Sequence, residues 1–172
     1  MRLSFLIGYG AQMLPPMLKV LKEESKKYDF SYIVTNDRFS DKFIEDIKNS
    51  DIILIHSYEL PDSVEEAIRE SKAKIVVSTT DNFVHLARGS PDVLNKAIEY
   101  FKIGGEENLR NLVRFLLKSI GASVEAEDVK EIPWHGIYHP KLGFFESAKV
   151  YLDAYKLRPL VGVIFHRTHW LY

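Results

Sequence analysis

The chain has 172 residues, enough for one domain of ordinary size or for one domain and the opening elements of another. Hydrophobic residues make up 46% and charged residues 27%, a balance that supports a packed core and argues against a disordered tail. With 23 Lys and Arg against 24 Asp and Glu, no net field draws the chain to nucleic acid or anionic lipid, and the absence of cysteine excludes disulfides, thiolate metal sites and cysteine nucleophiles.

The N-terminal apolar run is interrupted by Ser4, Gly8, Gly10 and Gln12 and falls short of the roughly 20 residues that cross a bilayer. Together with the missing cysteines, this predicts a cytoplasmic protein with neither a membrane nor a nucleic acid as partner.

Residues 3–7 form a short apolar run closed by Gly8, Tyr9 and Gly10, and Met13, Met17, Leu18, Val20 and Leu21 follow at near-helical spacing. That is a strand, a tight turn and a helix whose first turn accommodates Pro15 and Pro16. The unit recurs. Residues 30–35 are β-rich, Asn36 and Asp37 read as a turn, and Ser40 is placed to cap a helix that buries Phe43, Ile44 and Ile47. Residues 51–55 make a third strand. Pro61 and Asp62 then open a helix with Val64, Ala67 and Ile68 inside, and residues 74–78 make a fourth strand.

Strands that are apolar throughout are buried on both faces, and strands separated by helices run parallel through right-handed crossovers. Ligands in such sheets bind beyond the carboxyl ends of the strands, here near Gly8 to Gln12, Asn36 to Arg38, His56 to Glu59 and Ser78 to Asn82.

From Pro91 the pattern turns helical, with Val93, Leu94, Ala97, Ile98 and Phe101 on one stripe and Leu109, Leu112, Val113, Leu116 and Leu117 on another. Gly104 and Gly105 separate the two helices, Gly121 ends the second, and residues 122–130 read as an acidic connector with little to bury. A Pro- and aromatic-rich loop over 132–140 leads to a helix over about 144–157 and an apolar strand over 160–165. A chain that stops seven residues past a strand, without the next helix, reads as a cut.

The chemical signals are sparse. Gly8, Tyr9 and Gly10 begin a dinucleotide fingerprint whose third glycine is replaced by Met13, so they read as a turn. No phosphate-binding loop of Walker type occurs, so any dependence on ATP must come from a partner.

His135 and His139 are four apart and His166 and His169 three apart, but no carboxylate in the final strand segment completes a metal site. They read as loop residues that hydrogen-bond at a domain junction. His56 beside Tyr58 and Glu59, and Asp81 with His85, are acid–base candidates at strand ends. Ser78, Thr79 and Thr80 have no assignable base, so their hydroxyls are expected to satisfy the strand end. Trp134, Tyr138, Phe144, Phe145, Tyr151 and Tyr155 could stack on a flat ligand or build a core.

Three segments in order carry a resemblance: Gly105, Glu106, Glu107, Asn108 and Leu109 opening a helix; Pro133, Gly136, Ile137, Tyr138, His139 and Pro140; and the strand 161–165 followed by Arg167, Thr168, His169 and Trp170. Over roughly residues 104–171 the chain resembles the large subunit of cobaltochelatase and the related H subunit of magnesium chelatase. The first hundred residues share only the α/β character.

The resemblance implies ATP-dependent insertion of Co²⁺ or Mg²⁺, as substrate, into a tetrapyrrole in cobalamin or chlorophyll-type biosynthesis, a ligase reaction. The large subunit would hold the macrocycle while separate AAA+ subunits hydrolyse ATP. It implies no cofactor and no metal site within this chain. The resemblance assigns no catalytic residue. His135, Tyr138, His139, Arg167 and His169 are motif positions and candidate ligand or interface residues.

The sequence therefore predicts an α/β protein: a doubly wound, mainly parallel sheet of four to five strands, Rossmann-like in its flavodoxin-like form, with added C-terminal helices and a final strand. It divides the chain into a head domain with a helical extension (1–121), a connector loop (122–143), and a helix and strand (144–172) that open the next domain of a longer protein. The chain is expected to be inactive alone. Two rival readings are a stand-alone α/β binding or assembly module without chelatase activity, and a small-ligand enzyme built around His56 and Asp81.

Overall fold

A computed structural model describes residues 1–8, 13–35, 39–131, 136–139 and 143–154. The chain divides into two compact units, Met1–Lys130 and Glu131–Tyr172. In the first, β1 (Arg2–Ile7), β2 (Ser31–Thr35), β3 (Ile52–His56) and β4 (Ile75–Ser78) make one sheet in the order β2-β1-β3-β4. All three pairings are parallel, with Leu3 opposite Tyr32 on one side and Ile52 on the other.

Helices cover both faces. Leu3, Phe5, Ile7, Ile52, Leu54, Ile75 and Val77 pack with apolar residues of α1 (Leu14–Glu24), α4 (Pro91–Ile103) and α5 (Glu106–Ser119). The alternate residues Leu6, Ile53, Ile55 and Val76 pack with α2 (Asp41–Lys48) and α3 (Asp62–Glu70). The continuous apolar strands thus have a physical reason: each presents one set of side chains to each helical layer.

Local signals act where the sequence places them. Ser40 Oγ accepts from Phe43 N at 3.3 Å, and Pro15 and Pro16 lie in the first turn of α1. Gly104 and Gly105 take φ of 71° and 81°, a region disfavoured for side chains with a Cβ, and this allows α4 to stop and α5 to start without a spacer. The turn read at Asn36 and Asp37 lies outside the described residues.

Sequence reading gave no sign that α1 and α5 are joined by a buried charge. Glu24 is wholly inaccessible to solvent, and its carboxylate accepts from Arg110 at 2.8 Å and from Arg114 Nε at 2.6 Å. Burial alone would raise its pKa; the guanidinium hydrogen bonds prevail and lower it to about 2. Arg110 also reaches Glu23 and Glu106, and Lys19 reaches Glu106.

A carboxyl group with a folded pKa below its unfolded value contributes stability above the unfolded pKa and loses it as pH falls through the folded one. The α1–α5 strut should therefore weaken from about pH 4.5 towards pH 2. Glu24→Gln leaves the two guanidinium groups without their buried counter-charge, and should cost on the order of 3 kcal/mol in urea unfolding at pH 7 and flatten that acid limb. A loss below about 1 kcal/mol would show that the buried pair is energetically neutral.

The first unit extends to Lys130 and does not end at Gly121. Residues 122–130, expected to bury little, are fixed by side-chain amides. Asn108 donates to the carbonyls of Gly104 and Lys130 and accepts from Lys130 N at 2.8 Å; Asn111 accepts from Glu127 N at 3.1 Å. Tyr100 Oη donates to the carbonyl of Glu127, and Val124 is buried. Asn108 thus pairs with both polar groups of one peptide residue, as a neighbouring strand would, so the polar segment docks without being apolar. Asn108→Ala should leave those groups unpaired, cost about 1–3 kcal/mol, and raise hydrogen exchange at Glu127 and Lys130 while leaving the β3 amides protected.

In the second unit, β5 (Ile137–His139) and β6 (Gly143–Phe145) pair antiparallel, and α6 (Ala148–Ala154) follows. The stretch read as a connector up to residue 143 therefore contains a strand. Phe144 and Phe145, placed at the head of a helix by sequence, lie in β6, where Phe145 opposes Ile137 and meets the Tyr151 ring edge-on at 5.4 Å. The strand expected at 160–165 lies outside the described residues.

Candidate functional site

The order β2-β1-β3-β4 reverses the direction of winding between β1 and β3, and the carboxyl ends of two such strands diverge to leave a crevice. A crevice of about 630 Å³ lies there, lined by Gly8, Phe39, Ser57, Tyr58, Glu59, Leu60 and Pro61. Of the strand-end positions singled out by sequence, Gly8 and Ser57 to Glu59 line it. Residues 9–12 and 36–38 lie outside the described residues.

Its walls are held by backbone capping. Gly8 N donates to His56 O at 3.0 Å, locking the ends of β1 and β3 together. Thr80 Oγ1 donates to Ser57 O at 2.8 Å, Asn82 Nδ2 to Tyr58 O at 2.8 Å, and Ser57 Oγ to Glu59 O at 2.7 Å, so the loop after β3 is tied to the loop after β4. On the other side Phe39 precedes the Ser40 cap and meets Phe43 edge-on at 5.6 Å, an aromatic contact at the entry to α2.

Each serine or threonine hydroxyl carries one proton. Ser57, Ser78, Thr79 and Thr80 each donate theirs to a backbone carbonyl, as expected for residues that satisfy a strand end. Among the described residues the crevice offers no nucleophile–base pair; it offers a rigid wall with apolar surface from Phe39, Leu60 and Pro61 and polar groups from Glu59 and the loop backbone. Apolar surface with a few convergent polar groups is the make-up of a small-molecule site.

His56 does not line the crevice. It shares the face of Ile52 and Leu54, its ring lies 4.8 Å from that of Phe101, and its Nδ1 is 2.7 Å from Thr79 Oγ1. Thr79 Oγ1 also lies 3.1 Å from Ile55 O, so the hydroxyl links the His56 ring to the backbone of β3. Asp81 is exposed at the start of the 3₁₀ segment Asp81–Leu86, and His85 lies at 3.3 Å from Glu65 on the outer surface. The acid–base candidates thus belong to separate places.

Of the motif positions, Tyr138 and His139 fall in β5 opposite Phe144 and Gly143, and His135, Arg167 and His169 lie outside the described residues. No group of three or more His, Asp or Glu side chains capable of holding a metal occurs among the described residues. No described helix is long and apolar enough to cross a membrane.

Phe39, Leu60 and Pro61 were missed as lining residues, although an aromatic directly before a Ser cap and a Leu-Pro pair before an acidic helix turn were legible signals.

Burial holds the His56 pKa below its ordinary value. The folded state then binds fewer protons than the unfolded chain, so stability should fall as pH drops from about 6.5 through the folded-state value. An NMR titration of the His56 ring should place its midpoint below that of a free histidine. A midpoint above it would mean an unseen anionic neighbour.

Residues 98–172 match the family model described as CobN/Magnesium Chelatase. The chain is 36% identical over 84 residues to one uncharacterised protein of Methanocaldococcus jannaschii, covering 45% of this chain and 7% of that protein. It is 25% identical over 161 residues to another from the same organism, covering 92% of this chain and 12% of that protein.

Among solved structures, the catalytic subunit of cobaltochelatase from Mycobacterium tuberculosis superposes with a TM-score of 0.59 at 15% identity, covering 81% of this chain and 12% of that subunit. That likeness establishes the shared fold, and the chain spans no more than 12% of the length of these relatives. The matched segment begins within α4 and takes in α5 and the whole second unit, and over that segment the chain is similar to the CobN/Magnesium Chelatase family.

Proposed function

We propose that this chain is the head portion of the macrocycle-holding large subunit of an ATP-dependent chelatase, cytoplasmic and inactive in metal insertion by itself. The family match over residues 98–172 carries this reading. The metal, Co²⁺ or Mg²⁺, is substrate; the resemblance of residues 166–170 to the cobalt enzyme favours Co²⁺. The absence of a phosphate loop from the sequence is consistent with ATP hydrolysis on separate AAA+ subunits.

Within this role the crevice at the β1 and β3 ends is the surface for the tetrapyrrole. Phe39, Leu60 and Pro61 offer a preformed apolar wall, and a wall tied down by Thr80 and Asn82 loses little entropy when a flat ligand lies on it.

Titration of the chain with metal-free deuteroporphyrin should give a saturable Soret shift. Leu60→Ala should weaken binding about tenfold, the equivalent of about 1.4 kcal/mol of lost apolar contact. Addition of Co²⁺ and ATP to the chain alone should yield no metalloporphyrin bands. No spectral change at any porphyrin concentration would leave a stand-alone assembly module as the better reading, and insertion by the chain alone would overturn the division of labour.

A further inference from the structure

The two edges of the four-stranded sheet are treated differently. Beyond β4, Val76 N donates to Arg88 O at 2.8 Å and Arg88 N to Val76 O at 3.0 Å, and the Arg88 guanidinium donates to the carbonyls of Ser71 and Ala73. That edge is closed by a second stretch of backbone. Beyond β2, at the other edge, no strand lies among the described residues.

The direction of the outward groups follows from one hydrogen bond. Ser31 N donates to Met1 O at 2.9 Å, so the polar backbone groups of Ser31 face β1. Direction alternates along a strand, so Ile33 also faces β1, while the N–H and C=O of Tyr32 and Val34 point away from the sheet. The strand reads Ser31, Tyr32, Ile33, Val34, Thr35, without a charge or a proline, the devices by which proteins usually blunt an open edge. Tyr32, Ile33 and Val34 keep partial exposure, whereas Ile52 to Ile55 in the inner strand β3 have essentially none.

We propose that β2 is a self-pairing interface: it aligns antiparallel with β2 of a second copy, about a two-fold axis through Ile33, and joins two four-stranded sheets into one. The register follows from the outward groups. Antiparallel strands exchange hydrogen bonds between residues that both point outward, so Tyr32 pairs with Val34 of the second copy and Val34 with its Tyr32. Ile33 then faces Ile33 across the axis as a non-hydrogen-bonded pair.

A two-fold axis perpendicular to the sheet keeps each face on its own side. Tyrosine meets valine on the face of α1 and α5, and isoleucine meets isoleucine on the face of α2, both favourable cross-strand pairs. Shifting the register to place Tyr32 against Tyr32 would put Val34 opposite Phe30, outside the strand. Charge gives no opposition, because the strand has none. A five-residue strand pair is small beside the about 1,200–2,000 Å² of a stable complex, so the association depends on concentration. The proposal is independent of the chelatase reading.

The absence of cysteine makes the test direct. A non-hydrogen-bonded antiparallel pair sets its Cα atoms about 4.5 Å apart. This lies within the roughly 4.4–6.8 Å that a disulfide spans. Ile33→Cys, oxidised with glutathione disulfide, should give a covalent dimer on a non-reducing gel. Val84→Cys, at an exposed position in the 3₁₀ segment, should stay monomeric at the same concentration.

The unsubstituted chain should shift from monomer to dimer between micromolar and millimolar concentration in sedimentation equilibrium. Val34→Pro deletes an outward N–H without touching the β1 ladder, and should abolish that shift while retaining the thermal unfolding midpoint of the dilute wild type. A chain that sediments as a monomer throughout, or Ile33→Cys that cross-links no faster than Val84→Cys, overturns the proposal even if Val34→Pro fails to fold.

Discussion

One buried carboxylate fixes how α5 sits against α1. Removing Glu24 from water costs several kcal/mol, and this is tolerable only because Arg110 and Arg114 supply charge-assisted hydrogen bonds at the same point. Both arginines lie on α5, one turn apart, so the requirement fixes the rotation of α5 about its own axis as well as its distance from α1. A different face of α5 then presents Asn108 and Asn111 to residues 122–130. The order of dependence runs from a charge in α1 to the point where the second unit begins.

The sheet imposes the other constraint. Parallel strands end with backbone groups that no neighbour satisfies, and this chain answers with short hydroxyl side chains at Ser57, Ser78, Thr79 and Thr80. The same hydrogen bonds that remove the cost of unpaired carbonyls make the crevice rigid. The rigidity of the crevice and the satisfaction of the strand ends therefore have one origin.

Most of the sheet was legible because each strand is an apolar run between turn signals. The helix starts were legible at Ser40 and at Pro91, where the caps are local chemistry. What escaped was non-local. Glu24 sits in a Lys-Glu-Glu stretch that reads as a solvated face, and only its long-range arginine partners reveal it as buried. Residues 122–130 lack the periodicity of a packed segment because side-chain amides of α5 hold their backbone, beside the scattered apolar contacts of Ala122, Val124 and Val129. For the site, the strand-end rule located the crevice, but His56 and Asp81 were grouped by nearness in sequence to strand ends. Alternation along β3 turns His56 to the opposite helical layer from Phe39 and Leu60.

The family segment begins at residue 98, inside α4, and this start has a structural meaning. The α4–α5 hairpin that opens it is no appendage of the second unit: Ala97, Tyr100, Phe101, Leu109 and Leu112 lie in the same core cluster as β1 and β3. Family likeness and compact unit thus divide the chain at different places, because α5 serves two structures at once. One face completes the core over the sheet, and another holds the strand-like stretch from which the second unit departs. A substitution on α5 therefore meets the sheet core on one side and the docked stretch 122–130 on the other.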